Sequence, residues 1–234
     1  MDLVWCVNCF AATFLLLSAC PVQAQCDEKP PAETRIVGTV LDQRGQPLRD
    51  ISVQAFLKQT GMYMPTADSN NDGQFVIGDL EPGTYDIYGE SDAAGYPNTT
   101  LSFYGGENPI EVTLGNCGTA TVVLVLGPKA GVLNGTLLDS VTGRPIASPH
   151  APRFIVERAF NREDSIEFSG PAKFRWLVPP WVEVTLKVTA EGYRPWLYAD
   201  PSDPSKPLPF QLESGEEKIL KIELERDTQH ESPK

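Results

Sequence analysis

Apolar and polar residues alternate in short segments along most of the chain after residue 34. A repeat of two is typical of β-strands that bury one face, so the pattern predicts strands throughout. The short intervals between segments favour antiparallel pairing. In the first half, the residues expected to be buried are Ile51, Val53, Ala55, Leu57, Phe75, Ile77, Tyr85, Ile87, Val112 and Leu114.

Turn signals and one dense apolar run complete this pattern. Asp72-Gly73 predicts a hairpin turn with positive φ, and Glu-Pro-Gly-Thr at 81–84 predicts a type II turn. Residues 121–126 are almost all apolar, which predicts a strand buried on both faces. In the second half, strands are expected at 132–138, 154–157, 174–177, 182–188 and 219–224.

The chain contains an internal repeat. VGTVLD at 37–42 returns as NGTLLD at 134–139, and Gly95-Tyr96 returns as Gly192-Tyr193, both 97 residues later. A repeat of this length is large enough for a domain with its own core. The predicted fold is all-β, with two tandem antiparallel β-sandwiches. Their predicted bounds are 34–127 and 129–225, with a disordered tail at 226–234 and a join short enough to hold the domains close together.

The N-terminal residues are typical of an export signal. Residues 3–20 are largely apolar, and Val22 and Ala24 occupy the small-residue positions of a signal-peptidase site. This predicts a leader at 1–24, release at Gln25 and an N-terminal linker at 25–33. Leu-Ser-Ala-Cys at 17–20 also fits a lipoprotein box, in which Cys20 would be lipidated. Both interpretations predict a secreted, periplasmic or envelope-anchored protein.

The cysteines agree with export. Three of the five lie in the predicted leader, so the released chain keeps only Cys26 and Cys117. Two thiols in an oxidising compartment predict one disulfide, although unpaired cysteines remain the alternative. Neither cysteines nor histidines show the spacing of a zinc site.

Charge excludes one class of partner. The chain has 31 Asp and Glu against 19 Lys and Arg, for a formal net charge of -12. An acidic surface repels phosphate backbones, so nucleic-acid binding is not expected. Contact with a membrane is expected only through the leader or a lipid anchor.

The first unit resembles a known family. VGTVLDQRGQPL at 37–48, NDGQFVI at 71–77 and LEPGTY at 80–85 are similar to the carboxypeptidase regulatory-like domain, a transthyretin-like sandwich grouped with carbohydrate-binding-like folds. The second unit is a more divergent match, with Val-Pro-Pro-Trp at 178–181 in place of the Pro-Gly turn. In that family the domain accompanies a separate catalytic domain. The resemblance therefore implies no enzyme activity, no catalytic residue and no cofactor.

Two further patterns could mark a ligand site. Asp68, Asn70 and Asp72 have the spacing of the first half of a calcium loop, although a hairpin turn is the simpler interpretation. Trp181, Trp196 and Tyr198 could stack on sugars if they share an exposed face. Alternatively, Trp176 and Tyr193 belong to the core and the two other tryptophans seal the domain junction.

A charged segment gives the last alternative. Arg158, Arg162, Glu163, Asp164 and Glu167 surround Asn161, and paired acids can hydrolyse glycosides. A solvated loop is the expected structure of this segment. The sequence therefore predicts an exported, non-catalytic binding or structural module with an unknown protein or glycan partner. A carbohydrate-binding accessory protein and a hydrolase are the alternatives.

Overall fold

The computed structural model describes residues 34–116 and 118–227. Within these ranges the regular structure is β-strand, apart from a short 3-10 helix at Ser102–Tyr104. The strands of the first domain are β1 (Arg35–Asp42), β2 (Ser52–Leu57), β3 (Met62–Tyr63), β4 (Ala67–Asp68), β5 (Gln74–Ile77), β6 (Gly83–Glu90), β7 (Ile110–Leu114) and β8 (Thr119–Leu126).

The first domain is a sandwich of two sheets. One sheet has the order β5-β1-β8, and the other has the order β3-β2-β6-β7, with β4 also pairing with β2. Alternate side chains of both sheets enter one core, in which Ile36, Val53 and Ile87 are fully buried. Burial of each such side chain contributes about 1.5–3 kcal/mol, so this core is the main source of stability.

The second domain has the same plan. Its three-stranded sheet has the order β12-β9-β17, and its four-stranded sheet has the order β11-β10-β13-β14. The short strands β15 and β16 form a separate hairpin. The strands are β9 (Gly131–Asp139), β10 (Arg153–Arg158), β11 (Asn161–Ser169), β12 (Lys173–Val178), β13 (Val184–Thr189), β14 (Trp196–Leu197), β15 (Ala199–Asp200), β16 (Asp203–Pro207) and β17 (Glu217–Leu224).

A glycine in the central strand of each domain makes room for an aromatic ring. Gly38 is paired with Phe75 and Gly135 with Phe174. A Cβ on either glycine would lie 2.6 Å from Cε1 of the paired phenylalanine. The glycine of the repeated motif is therefore required by packing, and the two domains share this requirement.

One pairing in each domain is parallel. β1 runs parallel to β8, and β9 runs parallel to β17, whereas every other named pair is antiparallel. Antiparallel pairing was predicted from the short intervals between strands that follow one another in sequence. The first and last strands of a domain are far apart in sequence and become neighbours only when the sandwich closes, so the prediction does not apply to them.

The prediction that 121–126 is buried on both faces is wrong. Val122 and Leu124 face the core, but Val123 and Val125 are 54% and 56% exposed. The outer face of this three-stranded sheet carries no second layer in the part of the chain that the structure describes, so only one face of β8 is covered.

The predicted type II turn is also absent. Gly83 does not have a positive φ; the left-handed residue nearby is Asp79, with φ 54. Gly83 instead begins β6, where a Cβ would lie 2.6 Å from Leu57 Cδ1. The glycine is needed for space and not for turn geometry. By contrast, Gly73 has φ 74, which confirms the positive φ predicted for the turn at Asp72-Gly73. The turn does not form a hairpin, because β4 before it pairs with β2 and β5 after it pairs with β1.

The charged segment after Arg158 is strand β11 and not a solvated loop. Its inward residues Ile166 and Phe168 pair with Val156 and Phe154 of β10. Apolar and polar residues alternate only at the end of this segment. The charged residues before that point show no alternation, so the sequence did not predict the strand.

The first two residues of the predicted tail, at 226 and 227, form hydrogen bonds with the second domain. Arg226 forms a β-bridge with Tyr193, and its Nε donates to Asp139 Oδ2 at 2.6 Å. Asp227 donates its N–H to the carbonyl of Gly192. These two residues therefore extend the second domain beyond the predicted boundary at 225.

The domain junction is formed by a loop of the first domain. Phe103, in the 3-10 helix between β6 and β7, is buried in the core of the second domain. The neighbouring Tyr104 donates its O–H to the carbonyl of Leu177 at 3.1 Å. Arg175 Nη1 donates to the carbonyl of Asp92 at 2.6 Å. The two domains therefore lie in direct contact, as the short join predicted.

Candidate functional site

The turn between β10 and β11 projects from the second domain. Ala159 and Phe160 form this two-residue turn, and Phe160 is 90% exposed. The N–H of Ala159 donates to the carbonyl of Glu183 at 2.9 Å, which ties the base of the turn to the segment before β13. A phenylalanine is thus presented to solvent on a well-supported hairpin.

Trp181 lies beside this turn in a strained backbone conformation. Its φ is 59°, a region that a bulky residue adopts only when its surroundings impose it. Its N–H donates to the carbonyl of Leu212 at 2.8 Å, and its indole N–H donates to Glu213 Oε2. The ring nevertheless remains 52% exposed. Strain of this kind costs about 1–3 kcal/mol and is concentrated at functional positions.

Phe160 and Trp181 border the same cavity, which we call the hairpin cavity. Its volume is about 530 Å³. Aromatic faces combined with a few polar groups are typical of ligand sites. The lining residues are Arg158, Ala159, Phe160, Asn161, Asp164, Trp181, Val182 and Glu183.

Arg158 connects this cavity to the first domain. Its Nε lies 2.5 Å from Asp164 Oδ2, and its Nη2 donates to the carbonyl of Phe103 at 2.9 Å. Ser102 Oγ also donates to Asp164 Oδ1 at 3.4 Å. The loop that supplies Phe103 to the core therefore also holds the polar wall of the hairpin cavity.

Burial favours the neutral form of the Tyr104 phenol. It raises the pKa of the Tyr104 phenol well above its ordinary value, with smaller contributions from Asp92 and Glu90. The phenol therefore stays protonated and remains a donor to the carbonyl of Leu177 over the physiological pH range.

A second cavity, the proline groove, adjoins the first. It has a volume of about 620 Å³ and shares Arg158 and Ala159 with the hairpin cavity. Trp196 lies in its wall, and Glu157 and Lys187 supply opposite charges. The remaining lining residues are Thr185, Pro195, Leu197, Pro204, Pro207 and Pro209.

The three aromatics predicted to stack on a ligand do not share one flat face. Trp181 borders the hairpin cavity, whereas Trp196 borders the proline groove. Tyr198 is half-buried, with its ring edge-on to Phe210 at 5.2 Å and Lys218 Nζ 5.3 Å from its centroid. Among these three, Trp181 has the most exposed ring.

The alternative interpretation of the aromatics is correct for the core and wrong for the junction. Trp176 and Tyr193 pack against the second core, and the ring of Trp176 stacks on Phe168 at 4.5 Å. Trp181 and Trp196 take no part in the described hydrogen bonds of the junction, which come from the loop 102–104, from Arg175 and from Ala130, whose N–H donates to the carbonyl of Gly95.

The predicted calcium residues lie at the end of β4 and in the turn that leads from β4 to β5. Asn70 Oδ1 accepts the backbone N–H groups of Asp72 and Gln74, at 3.0 and 2.9 Å. This oxygen is therefore occupied by the turn and is not directed toward a cation. Within 34–116 and 118–227, no three Asp, Glu, His or Cys side chains converge as metal ligands.

The repeated aspartate has different partners in the two domains. Asp42 Oδ1 accepts the N–H groups of Arg44 and Gln46. Asp139 is nearly inaccessible and also accepts hydrogen bonds from Arg226 and Tyr193. The hydrogen bond from Arg226 is the main reason why the pKa of Asp139 is far below its ordinary value.

Sequence reasoning missed two of the residues that matter most here. Phe103 and Phe160 both lie outside the alternating pattern, in a loop and at a turn tip. The only sequence signal for Phe103 and Phe160 is the presence of a hydrophobic residue in a loop or turn. This signal does not indicate what the residue contacts. The predicted lipidation site Cys20 and the predicted disulfide Cys26–Cys117 lie outside the described residues.

Comparison with known proteins places the first domain in a family. Residues 35–125 match the model of the carboxypeptidase regulatory-like domain. The match ends within β8, so it covers the first domain and none of the second. No curated protein matches the chain.

Solved structures with similar regions are distant in sequence. The Bacillus anthracis TIE protein is 17% identical, with 83% of this chain and 34% of its own covered and a TM-score of 0.33. A streptococcal ancillary pilin is 14% identical, with 84% and 63% covered and a TM-score of 0.39. The shaft pilin SpaA of Lactobacillus rhamnosus GG is 10% identical, with 84% and 98% covered and a TM-score of 0.34. The chain spans about a third of the first protein and under two thirds of the second, so their activities do not carry over to it.

Proposed function

We propose that this chain is an exported, non-catalytic binding module, because residues 35–125 match the model of the carboxypeptidase regulatory-like domain. In this proposal the second domain carries the ligand surface and the first domain supports it. The second domain is a divergent copy of the first, as the shared strand order and the repeated glycine contact support.

The observation that carries the proposal is the exposed aromatic pair at the hairpin cavity. Phe160 and Trp181 are exposed at one cavity. The N–H of Trp181 donates to the carbonyl of Leu212, and the N–H of Ala159, next to Phe160, donates to the carbonyl of Glu183. Rigid aromatic side chains lose little entropy on binding, and they often dominate the binding energy of an interface. This combination favours contact with a partner.

The neighbouring charges favour binding over hydrolysis. Asp164 is ion paired with Arg158 and accepts a hydrogen bond from Ser102. Both carboxylate oxygens of Asp164 are thus engaged by groups of the protein itself, whereas glycoside hydrolysis needs two carboxyl groups free to act on the glycosidic bond. The hydrolase alternative therefore has the weaker support.

Substitution of the two aromatics tests the proposal. The released chain is immobilised and exposed to the exported protein fraction of the producing cells. Phe160→Ala and Trp181→Ala should each weaken capture of the same partner about 30-fold, since loss of a central aromatic costs about 2 kcal/mol. Tyr63→Ala, at an exposed position of the first domain, is the matched control. Equal capture by all four proteins would contradict a binding role for the hairpin cavity.

A carbohydrate-binding accessory protein is the second candidate, and the geometry of Trp181 favours it. The indole is oriented by Glu213, and Asn161 lines the same cavity. Sugars bind proteins through such pairs of a flat ring and polar groups. A glycan array should then give signals that Trp181→Ala removes and Trp196→Ala, in the separate groove, leaves in place. No signal from the unmodified chain would exclude this candidate.

The route of export can be tested at the N-terminus. Release predicts a mature chain that begins at Gln25, whereas lipidation predicts a membrane-bound chain that begins at Cys20. Mass spectrometry of the exported protein, together with fractionation of a Cys20→Ala variant, distinguishes the two. Retention of the full leader in the cell would contradict both.

A further inference from the structure

β8 has an unpaired edge. It pairs with β1 on one side, and no other strand in the described ranges pairs with it. The free N–H and C=O groups of an edge strand can extend a sheet into a second chain, so most edges carry charges, proline or a bulge. The eight residues of β8, TATVVLVL, include no charge and no proline.

The outer side chains of β8 are also apolar. Val123 and Val125 are more than half exposed, and Val76 of β5 adds a third exposed valine to the same three-stranded sheet. Large exposed apolar side chains side by side on an uncovered sheet mark a contact surface.

The corresponding strand of the second domain has a protected edge. Val123 pairs with Thr39, and Lys221 pairs with Thr136, the repeat equivalent of Thr39. By the same register Val125 corresponds to Glu223. Lys221 Nζ and Glu223 Oε1 form an ion pair at 3.0 Å where the first domain has two valines. The two domains thus differ at the positions that decide whether an edge can pair.

We propose that β8 pairs antiparallel with β8 of a second copy of this chain, which joins two three-stranded sheets into one of six strands. A two-fold axis through Val123 places this residue opposite its own copy and Thr121 opposite Val125. Identical strands satisfy each other's edge hydrogen bonds in this arrangement, and the assembly closes as a dimer.

The uncharged edge of β8 is a surface on which two copies of this chain can meet with little repulsion. The full chain has a formal net charge of -12, so most surfaces of two copies repel each other. The paired strands are uncharged, so they meet without this repulsion. Because one strand pair buries less than a standard interface, the dimer should be weak and depend on protein concentration.

Analytical ultracentrifugation of the released chain, from about 1 µM to about 1 mM, tests the proposal. A monomer–dimer equilibrium is expected. Val123→Lys places like charges across the axis and should raise the dissociation constant at least about tenfold. Ile219→Lys is the matched control, because it adds the same charge at an 81% exposed position of β17. It should leave the dissociation constant unchanged.

Two further measurements keep the test decisive. Val125→Lys replaces Val123→Lys if the latter lowers the melting temperature, and it should have the same effect on the dimer. Hydrogen exchange should show amide protection in 119–126 that rises with concentration. A monomer at all concentrations, or a dimer that both lysine variants leave intact, would overturn the proposal. A monomer with protected β8 amides would also overturn it and would assign the edge to residues 25–33 of the same chain.

Discussion

The two domains have one architecture and different surfaces. In both, the first strand lies between an antiparallel and a parallel neighbour, with a glycine beneath an aromatic ring. The first domain has an uncharged edge strand and extends a loop into its partner domain. The second has a charged edge strand and exposed aromatics beside a cavity. The comparison indicates that one strand order and one glycine–aromatic contact are compatible with different edges and turns.

The largest effect is expected where the first domain enters the core of the second. Phe103→Ala should lower the free energy of unfolding of the second domain by about 3–5 kcal/mol, since it leaves a cavity in that core. After removal of the leader, tryptophan occurs only in the second domain, so urea unfolding followed by tryptophan fluorescence reports on this domain alone. Phe160→Ala, at a 90% exposed position, should cost less than about 0.5 kcal/mol. Equal effects of the two substitutions would mean that Phe103 does not support the second domain.

The shared glycine tests the duplication itself. Gly38→Ala and Gly135→Ala should each destabilise their own domain by about 1–3 kcal/mol, because the added methyl group overlaps Phe75 or Phe174. Thermal unfolding followed by circular dichroism covers both domains, and tryptophan fluorescence separates the second. A neutral result at one site would show that the packing is not equivalent. Gly143→Ala is not a suitable control because its φ is positive; Gly115→Ala, with nothing within 4 Å, is suitable.

Acid should affect the second domain through Asp139. Its folded-state pKa is lowered, mainly by Arg226, so its contribution is present above the unfolded pKa of about 3.9 and is lost as the pH falls toward the folded value. The melting temperature of the second domain should therefore fall below about pH 4 in the unmodified chain and fall less steeply in Asp139→Asn. Asp42→Asn, at the equivalent position of the first domain, should leave the tryptophan-detected slope unchanged. If the melting temperature of the second domain fell equally steeply with pH in all three proteins, the Arg226–Asp139 contact would not have this role.

The smallest change in stability is expected from removal of the charges on β17. Lys221→Val combined with Glu223→Val removes an exposed ion pair, which contributes at most about 0.5 kcal/mol. The same double substitution gives the second domain the valines of β8, so it should add a second association edge and produce species larger than a dimer. Sedimentation of this variant checks the prediction, and an unchanged distribution would show that the two valines are not sufficient.

The sequence alone was enough for the fold class and the repeat. Alternation, such as that of Phe75 and Ile77, is a pattern of neighbouring residues. The repeat is a match between two short motifs, of which the first lies at 37–42 and the second 97 residues later. Both are therefore visible without coordinates. The candidate site was predicted only in part. Trp181 was named as a possible stacking residue, but its exposure could not be predicted, and Phe160 was missed because no local pattern marks the tip of a turn.

Local pattern therefore predicted most of the longer strands, with β11 as an exception, since side-chain alternation follows from the backbone of an extended chain. Only the tertiary structure decided which neighbour each element meets. It buried Phe103 in the other domain, left Val123 exposed on an uncovered face and imposed a positive φ on Trp181. Each of these outcomes depends on contacts between residues far apart in the sequence, and such contacts leave no periodic signal along the chain.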